Sequence, residues 1–310
     1  MSYRLLSYRS GKAARAGVMV GEKVYEAQVV TGDRGHSSVL GILQDWGRAG
    51  KLLARGAKHI AARGTRARGL PLNRVKLLAP VLYPGTVFCA GANYSDHMQE
   101  MARVQNIPPE RDPHELGLKP WHFIKTSRAS VVGPAVAVSL PPYTQAVDWE
   151  IELVAVIGRT ARNLPVDKAL DCVAGYTIAN DLSARDVFRR PHVADASPFK
   201  LDWLAQKCFD GACPLGPWIG PASEFPDPQR LGMKLWLNGQ LMQDSHTSKM
   251  IFSTAEQIAH LSTRVTLQPG DLVLTGTPAG VGMGRKLFLK VGDALKLWIE
   301  GIGELDHTVA

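Results

Sequence analysis

The 310 residues are enough to bury a large core and leave room for two domains. With 45% apolar and 21% charged residues and a net charge of +8, the composition is that of an ordinary globular chain, and no window approaches the ~18 consecutive apolar residues of a membrane helix. Met1 to Leu6 hold no apolar stretch of signal-peptide length, and Cys89, Cys172, Cys208 and Cys213 form no C-x-x-C pair, so reduced, mostly buried thiols and a cytoplasmic location are expected.

In chain order, Leu5–Tyr8, Ala16–Val20 and Val24–Val30 read as short strands separated by glycine-containing turns. Ser37-Ser38 precedes Val39 to Trp46, where apolar residues recur at helical spacing, and a weaker helical piece covers Leu52 to Ala62. Gly64 to Asn73 looks like a linker. The basic character is local. From Arg48 to Lys76 there are nine Lys/Arg and no Asp or Glu, and the remainder of the chain nets one negative charge. The plain reading is a solvated helix face followed by an Arg-rich linker. A nucleic-acid surface is the weaker reading, because no aromatic residue is interleaved to stack on bases.

From Val75 the texture changes. Tyr83-Pro84-Gly85 signals a turn, Thr86–Ala90 a strand, and a Pro-rich polar stretch runs to Pro120 before the strand Trp121–Lys125. Many short strands follow, with helical pieces at Val166–Cys172 and Ala255–Leu261. The expected organisation is a small N-terminal α+β domain with linker over 1–74 and a β-rich α+β domain of barrel or sandwich kind over 75–310.

The most informative stretch is Asp148 to Gly158 (DWEIELVAVIG). It opens as strict alternation and ends as a continuous apolar run, the pattern of a strand entering a packed sheet. Side chains two apart on a strand share a face, so Glu150 and Glu152 point the same way. Two carboxylates beside a buried run repel each other and lose solvation, and a hard divalent cation is the simplest remedy. The alternative is a half-exposed strand with two solvated glutamates. Asp181 follows the apolar segment Val173–Ile178, hence at a strand end, and could complete a three-carboxylate set or simply serve a turn. His97 and Glu100, three apart, share a face if Ser95 or Asp96 opens a helical turn, and a carboxylate beside an imidazole suits a general base. Thr275 to Gly282 is glycine-rich but lacks the end of a phosphate-binding P-loop. Lys125 and Lys207 are either snorkelling surface lysines or buried cations facing an anionic substrate.

Eight segments occur in order: 91–100 (GANYSDHMQE), 123–125 (FIK), 148–153 (DWEIEL), 175–186 (GYTIANDLSARD), 206–210 (QKCFD), 214–218 (PLGPW), 238–240 (NGQ) and 270–282 (GDLVLTGTPAGVG). This series resembles the fumarylacetoacetate hydrolase superfamily from about Lys76 to the C-terminus. The resemblance implies a mixed β-barrel/roll catalytic domain with a small N-terminal α+β domain, and a homodimer. It implies Mg2+ or Mn2+ held by Glu150, Glu152 and Asp181, a His97–Glu100 dyad that activates water, and active-site lysines at Lys125 and Lys207. It places Tyr94, Arg185, Gln243 and Thr277 around the substrate or metal. Thr126 stands where proline often follows the first lysine. Phe188 to Leu204 is a family-variable stretch at the expected substrate mouth.

The expected activity is metal-dependent hydrolysis of the carbon–carbon bond of a small anionic 1,3-dicarbonyl acid, an acylpyruvate, giving pyruvate and a carboxylic acid. The alternative on the same scaffold is a decarboxylase or isomerase of an oxaloacetate-like 2-oxo diacid. The rival from another class is nucleic-acid binding through 48–76.

Overall fold

The strand Ile151–Ile157 lies between Val173–Asn180 and Leu272–Leu274, antiparallel to both, and every one of its side chains is buried. That explains its unbroken apolar run, since both faces of the strand are covered. The half-exposed alternative does not hold. In this computed structural model residues 2–63, 65 and 67–310 are described; Gly64 and Arg66, parts of the expected linker and of the basic run, lie outside them.

The main sheet has twelve strands. Its path runs from Leu70–Pro71 through Lys23–Glu26, Ala13–Val20, Arg4–Ser10 and Cys213–Pro221 to the three central strands, then to Val87–Ala90 and His122–Lys125. A five-stranded sheet carries Gln240–His246, Gly232–Leu237, Ala294–Ile299, Gly303–Val309 and Ala137–Val138. The fold is α+β and strand-rich. The main path keeps two ends among the described residues, a coarser description than the barrel or roll implied by the motif series. The N-terminal strands join the same sheet, with Leu5 paired to Ile219.

The two faces of Ile151–Ile157 face different cores. Ile151, Leu153, Ala155 and Ile157 belong to a cluster shared with the five-stranded sheet through Leu235, Leu297 and Leu305. Val154 and Val156 belong to a second cluster, capped by Ile42, Leu43, Ala49, Leu53 and Ala57 of the helices Val39–Gln44 and Trp46–Arg63. Glu150 and Glu152 lie on this second face, where the helical cover runs out.

Several local readings need amendment. Val24–Val30 does not continue as a strand; strand Lys23–Glu26 gives way to helix Ala27–Thr31, with Ala27 buried and Gly32 at φ 73° closing it. The β-branched Val29 and Val30 suggest extension, but the left-handed glycine favours a helix end. The piece at 52–62 extends to Trp46–Arg63, with Arg48, Lys51, Arg55, Lys58 and Arg63 on its exposed side. The helix Thr254–Arg264 carries a full capping box between Ser253 and Glu256. The cysteines are free, three of them buried. Among the described residues no helix is long and apolar enough to cross a membrane.

Candidate active site and metal centre

Strand register builds the centre. Ile151 pairs with Asn180, so the next pair outward is Glu150 and Asp181, and the Asp181 amide donates to the Glu150 carbonyl at 2.9 Å. Cross-strand neighbours share a face. The carboxylates of Glu150, Glu152 and Asp181 therefore converge, each offering an oxygen within 4.8 Å of the others, and all three residues are buried.

Cations surround two of the three. Lys207 Nζ donates to Glu150 Oε2 at 2.9 Å and Asp181 Oδ2 at 2.7 Å. Lys125 Nζ donates to Asp181 Oδ1 and to the Leu182 carbonyl. Arg185 bridges Glu150 Oε1 and Asp148 Oδ2. Burial opposes ionisation of Glu150, yet the Lys207 ammonium and Arg185 guanidinium outweigh it and hold its carboxyl well below the usual range. Burial likewise opposes the Lys207 ammonium, and Asp181 and Glu150 outweigh it and raise its proton affinity. Glu152 differs. Among the described residues its one hydrogen bond comes from the Gly276 amide, at 2.7 Å. Burial, with Asp181 and Glu150 beside it, pushes its carboxyl well above the usual range. A buried carboxylate crowded by two others and lacking a cation fits a hard divalent metal, and the all-oxygen donor set suits Mg2+ or Mn2+.

The turn after Leu272–Leu274 continues the pairing through side chains. Thr275 Oγ1 donates to the Leu153 carbonyl at 2.8 Å and Thr277 Oγ1 to the Ile151 carbonyl at 2.9 Å. Gln243, fully buried, accepts the Ile151 amide and donates to Thr277 Oγ1 and the Pro278 carbonyl. It holds the strand carrying the glutamates and does not line the cavity, whereas Thr277 and Arg185 do.

His97 and Glu100 sit on helix Ser95–Gln105, with Tyr94 as its N-cap. His97 Nδ1 lies 3.7 Å from Glu100 Oε2, which also accepts the Gly280 amide at 3.0 Å. Burial opposes ionisation of Glu100, but His97 and the Gly280 N–H outweigh it and hold the carboxyl below its ordinary value. His97 faces a cavity of about 600 Å³ that also reaches Glu150, Glu152 and Lys207.

Besides Gln243, two expected assignments change. Tyr94 is fully buried, with its hydroxyl donating to Met233 Sδ at 3.2 Å, so it packs the core and does not line the cavity. Lys125 lies outside the cavity lining and donates to Asp181 and to the Leu182 carbonyl. Asp148, Trp121 and Phe123 were given no role of their own by the sequence, whereas Phe188 and Trp203 belong to the 188–204 stretch expected at the substrate mouth. Asp148 accepts the Gly282 and Met283 amides as well as Arg185, tying the glycine-rich turn to the glutamate strand. Four aromatic residues, Trp121, Phe123, Phe188 and Trp203, form one wall of the cavity. Asp148 stood in the DWEIEL motif; the aromatic residues gave no periodic signal.

The fold and centre define a strand-rich enzyme of the fumarylacetoacetate hydrolase type. The family described as fumarylacetoacetate (FAA) hydrolase C-terminal matches residues 86–310, and the chain belongs to it. The mitochondrial oxaloacetate tautomerase FAHD2B of Homo sapiens is 40% identical over 242 residues, covering 77% of this chain and 71% of that protein. The structure of a probable 2-hydroxyhepta-2,4-diene-1,7-dioate isomerase from Mycobacterium abscessus is 27% identical, with a TM-score of 0.76 and coverage of 100% of this chain and 98% of its own. Maleylpyruvate hydrolase from Sphingobium sp. SYK-6, solved with manganese(II) and pyruvate, is 28% identical, with a TM-score of 0.72 and coverage of 99% and 98%.

Proposed function

We propose that this chain is a divalent-metal-dependent enzyme that interconverts the keto and enol forms of an oxaloacetate-type 2-oxo acid by moving a proton between carbon 3 and the oxygen on carbon 2. The observation that carries it is the convergence of three buried carboxylates, two of which, Glu150 and Glu152, line the cavity that His97 faces. The preference for proton transfer follows the 40% identical relative named as an oxaloacetate tautomerase. The catalytic work falls to 75–310, with 1–74 covering the far end of the glutamate strand, and the working form is a homodimer.

Glu150, Glu152 and Asp181 would hold Mg2+ or Mn2+. When bound, the ion supplies Lewis acidity that favours the enolate of a 2-oxo acid. His97 exchanges the carbon 3 proton, and Glu100, fixed by the Gly280 amide, orients the imidazole. The Lys207 ammonium, beside Glu150 and Asp181, offsets negative charge as it develops. Arg185 and Asp148 keep Glu150 and the 280s turn in place.

The second reading is carbon–carbon hydrolysis of an acylpyruvate, with His97 activating water. The His97–Glu100 pair at the cavity wall favours it, as does the likeness to a maleylpyruvate hydrolase. One experiment tests both. Enol oxaloacetate is followed by its absorbance and acetylpyruvate by pyruvate release, each with Mg2+ and with EDTA. Metal-dependent acceleration of enol decay without pyruvate release is the expected result. Metal-dependent pyruvate from acetylpyruvate alone moves the chain to the hydrolases. Turnover of neither overturns both readings.

A further inference from the structure

We propose that Trp121, Phe123, Phe188 and Trp203 form a subsite for a planar, aryl-like group that begins at carbon 4 of the 2-oxo acid. The inference rests on the reading that the carboxylate end of the cavity takes the 2-oxo acid.

Trp203 is the hub of the wall. Its ring centroid lies 5.3 Å from Phe123 in a stacked pair, and 5.4 Å from Trp121 and 4.5 Å from Phe188 in edge contacts. The same wall borders the metal end, because Lys207 Nζ lies 4.9 Å over the Phe123 ring. Trp121 is 46% exposed, a large apolar surface left open in the cavity. Its seat requires the glycine beneath it, since a Cβ on Gly91 would come within 2.0 Å of the indole.

The wall is held in place by its own chain. The Asp202 amide donates to the Phe188 carbonyl at 2.9 Å, Arg190 pairs with Asp202, and the backbones of Arg189 and Leu201 form an antiparallel β-bridge. Rigid rings fixed in this way offer stacking at little entropic cost.

Size and charge point the same way. Even at about 30 Å³ per non-hydrogen atom, a water's share of the liquid, a four-carbon 2-oxo diacid fills less than half of a cavity of about 600 Å³. The cations nearest the triad are already neutralised, Lys207 by Glu150 and Asp181 and Arg185 by Asp148 and Glu150. Beyond them the lining is largely apolar and aromatic, with Arg189 lying 6.0 Å over the Phe188 ring, so the space beyond the triad offers a stacking surface.

The test is calorimetric titration of the Mg2+-loaded protein with oxamate and with N-phenyloxamate, in wild type, Trp203→Ala and Phe188→Ala. The readout is the ratio of the two affinities. In wild type the phenyl group should tighten binding by roughly tenfold or more, the worth of one or two good ring contacts. In each variant the ratio should fall toward one. Phe188 lies on a half-exposed loop, so its variant serves if Trp203→Ala does not fold. A wild-type ratio near one, or a ratio unchanged in the variants, overturns the subsite. If oxaloacetate is turned over with metal and the ratio is one, the subsite fails and the functional reading stands. If the phenyl gain depends on Trp203 or Phe188 while no 2-oxo acid is turned over, the subsite stands and the functional reading fails.

Discussion

Asn180 Nδ2 lies 2.9 Å from His307 Nε2, while Oδ1 of the same amide accepts the backbone N–H of Glu150 at 2.8 Å. The second bond assigns the amide, so Nδ2 is the donor toward His307 and Nε2 must accept. The His307 proton then sits on Nδ1, which is buried and has no hydrogen-bond partner among the described residues. Protonating Nε2 would set one donor against another. The five-stranded sheet thus supports the strand pair of the active site only while His307 is neutral.

Burial depresses the His307 imidazole to about 4. In the unfolded chain a histidine titrates near ~6.5. Above that pH neither state is protonated and the native contact contributes in full. As pH falls from about 6.5 toward 4, the unfolded state takes up a proton that the folded state refuses, and stability drops by roughly 3 kcal/mol. His122, depressed to about 4 by burial and by His260, acts in the same window. Urea unfolding midpoints should fall between pH 7 and 4.5, and His307→Gln should flatten that slope while lowering the midpoint at pH 7. An unchanged slope in His307→Gln would remove His307 as the cause.

Glu152→Gln separates stability from metal binding. Glutamine keeps an acceptor for the Gly276 amide and matches the neutral carboxyl that burial, Asp181 and Glu150 favour in the metal-free protein. The metal-free protein should keep its melting temperature or gain on the order of 1 kcal/mol. Mn2+ affinity should fall by about tenfold or more, since a hard cation loses an anionic oxygen. Glu150→Ala should behave differently, because it takes one of two carboxylate partners from both Lys207 and Arg185, leaving them Asp181 and Asp148, and should cost on the order of 3 kcal/mol as well as the metal. Thermal unfolding with and without Mn2+, together with calorimetric metal titration, reads both effects. A Glu152→Gln protein binding Mn2+ as tightly as wild type would take Glu152 out of the centre.

His97→Ala should leave Mn2+ affinity within about twofold and slow turnover by roughly 10²–10⁴-fold, the range of a general acid–base group. Glu100→Gln keeps the shape and the Gly280 contact but loses the charge beside His97 Nδ1, so a smaller loss of about tenfold is expected. Steady-state rates on oxaloacetate and acetylpyruvate, beside a metal titration, decide it. Wild-type rates in His97→Ala would leave the imidazole without a catalytic task.

How far the sequence could be read depended on whether the signal was local. The strand Ile151–Ile157 announces itself through two-residue alternation passing into an apolar run, and Asp181 through the apolar segment ending just before it. The helical turn joining His97 to Glu100 follows from a spacing of three. Tyr94 shares a motif with His97, but at a helix N-cap its side chain turns into the core toward Met233. Lys125 and Lys207 look alike as residues closing apolar segments; which one faces the cavity depends on how the strand His122–Lys125 and the helix Trp203–Lys207 approach Asp181, which lies 56 and 26 residues from them in sequence. The aromatic wall draws on residues 121, 123, 188 and 203, brought together only by the folded chain. Val29 and Val30 carried a strand-like signal that Gly32 overrode.

Gly280 and Gly292 make a paired test of the turn that anchors Glu100. Both adopt left-handed backbone, at φ 101° and 93°, so alanine is strained at either. They differ in surroundings. A Cβ on Gly280 would meet the Met242 carbonyl oxygen at 2.2 Å, whereas on Gly292 it would meet nothing within 4 Å. Gly280 also takes the Trp149 Nε1–H on its carbonyl and gives its amide to Glu100. Gly292→Ala should therefore cost about 1–2 kcal/mol from backbone strain alone. Gly280→Ala should cost on the order of 2–4 kcal/mol, since the neighbour is backbone and cannot step aside. It should also slow turnover to about the level of Glu100→Gln, because the orienting carboxylate loses its anchor. Urea denaturation of the two variants, with rates measured on the folded fraction, checks both claims. Equal destabilisation would mean that the Met242 carbonyl yields and that strain alone sets the cost.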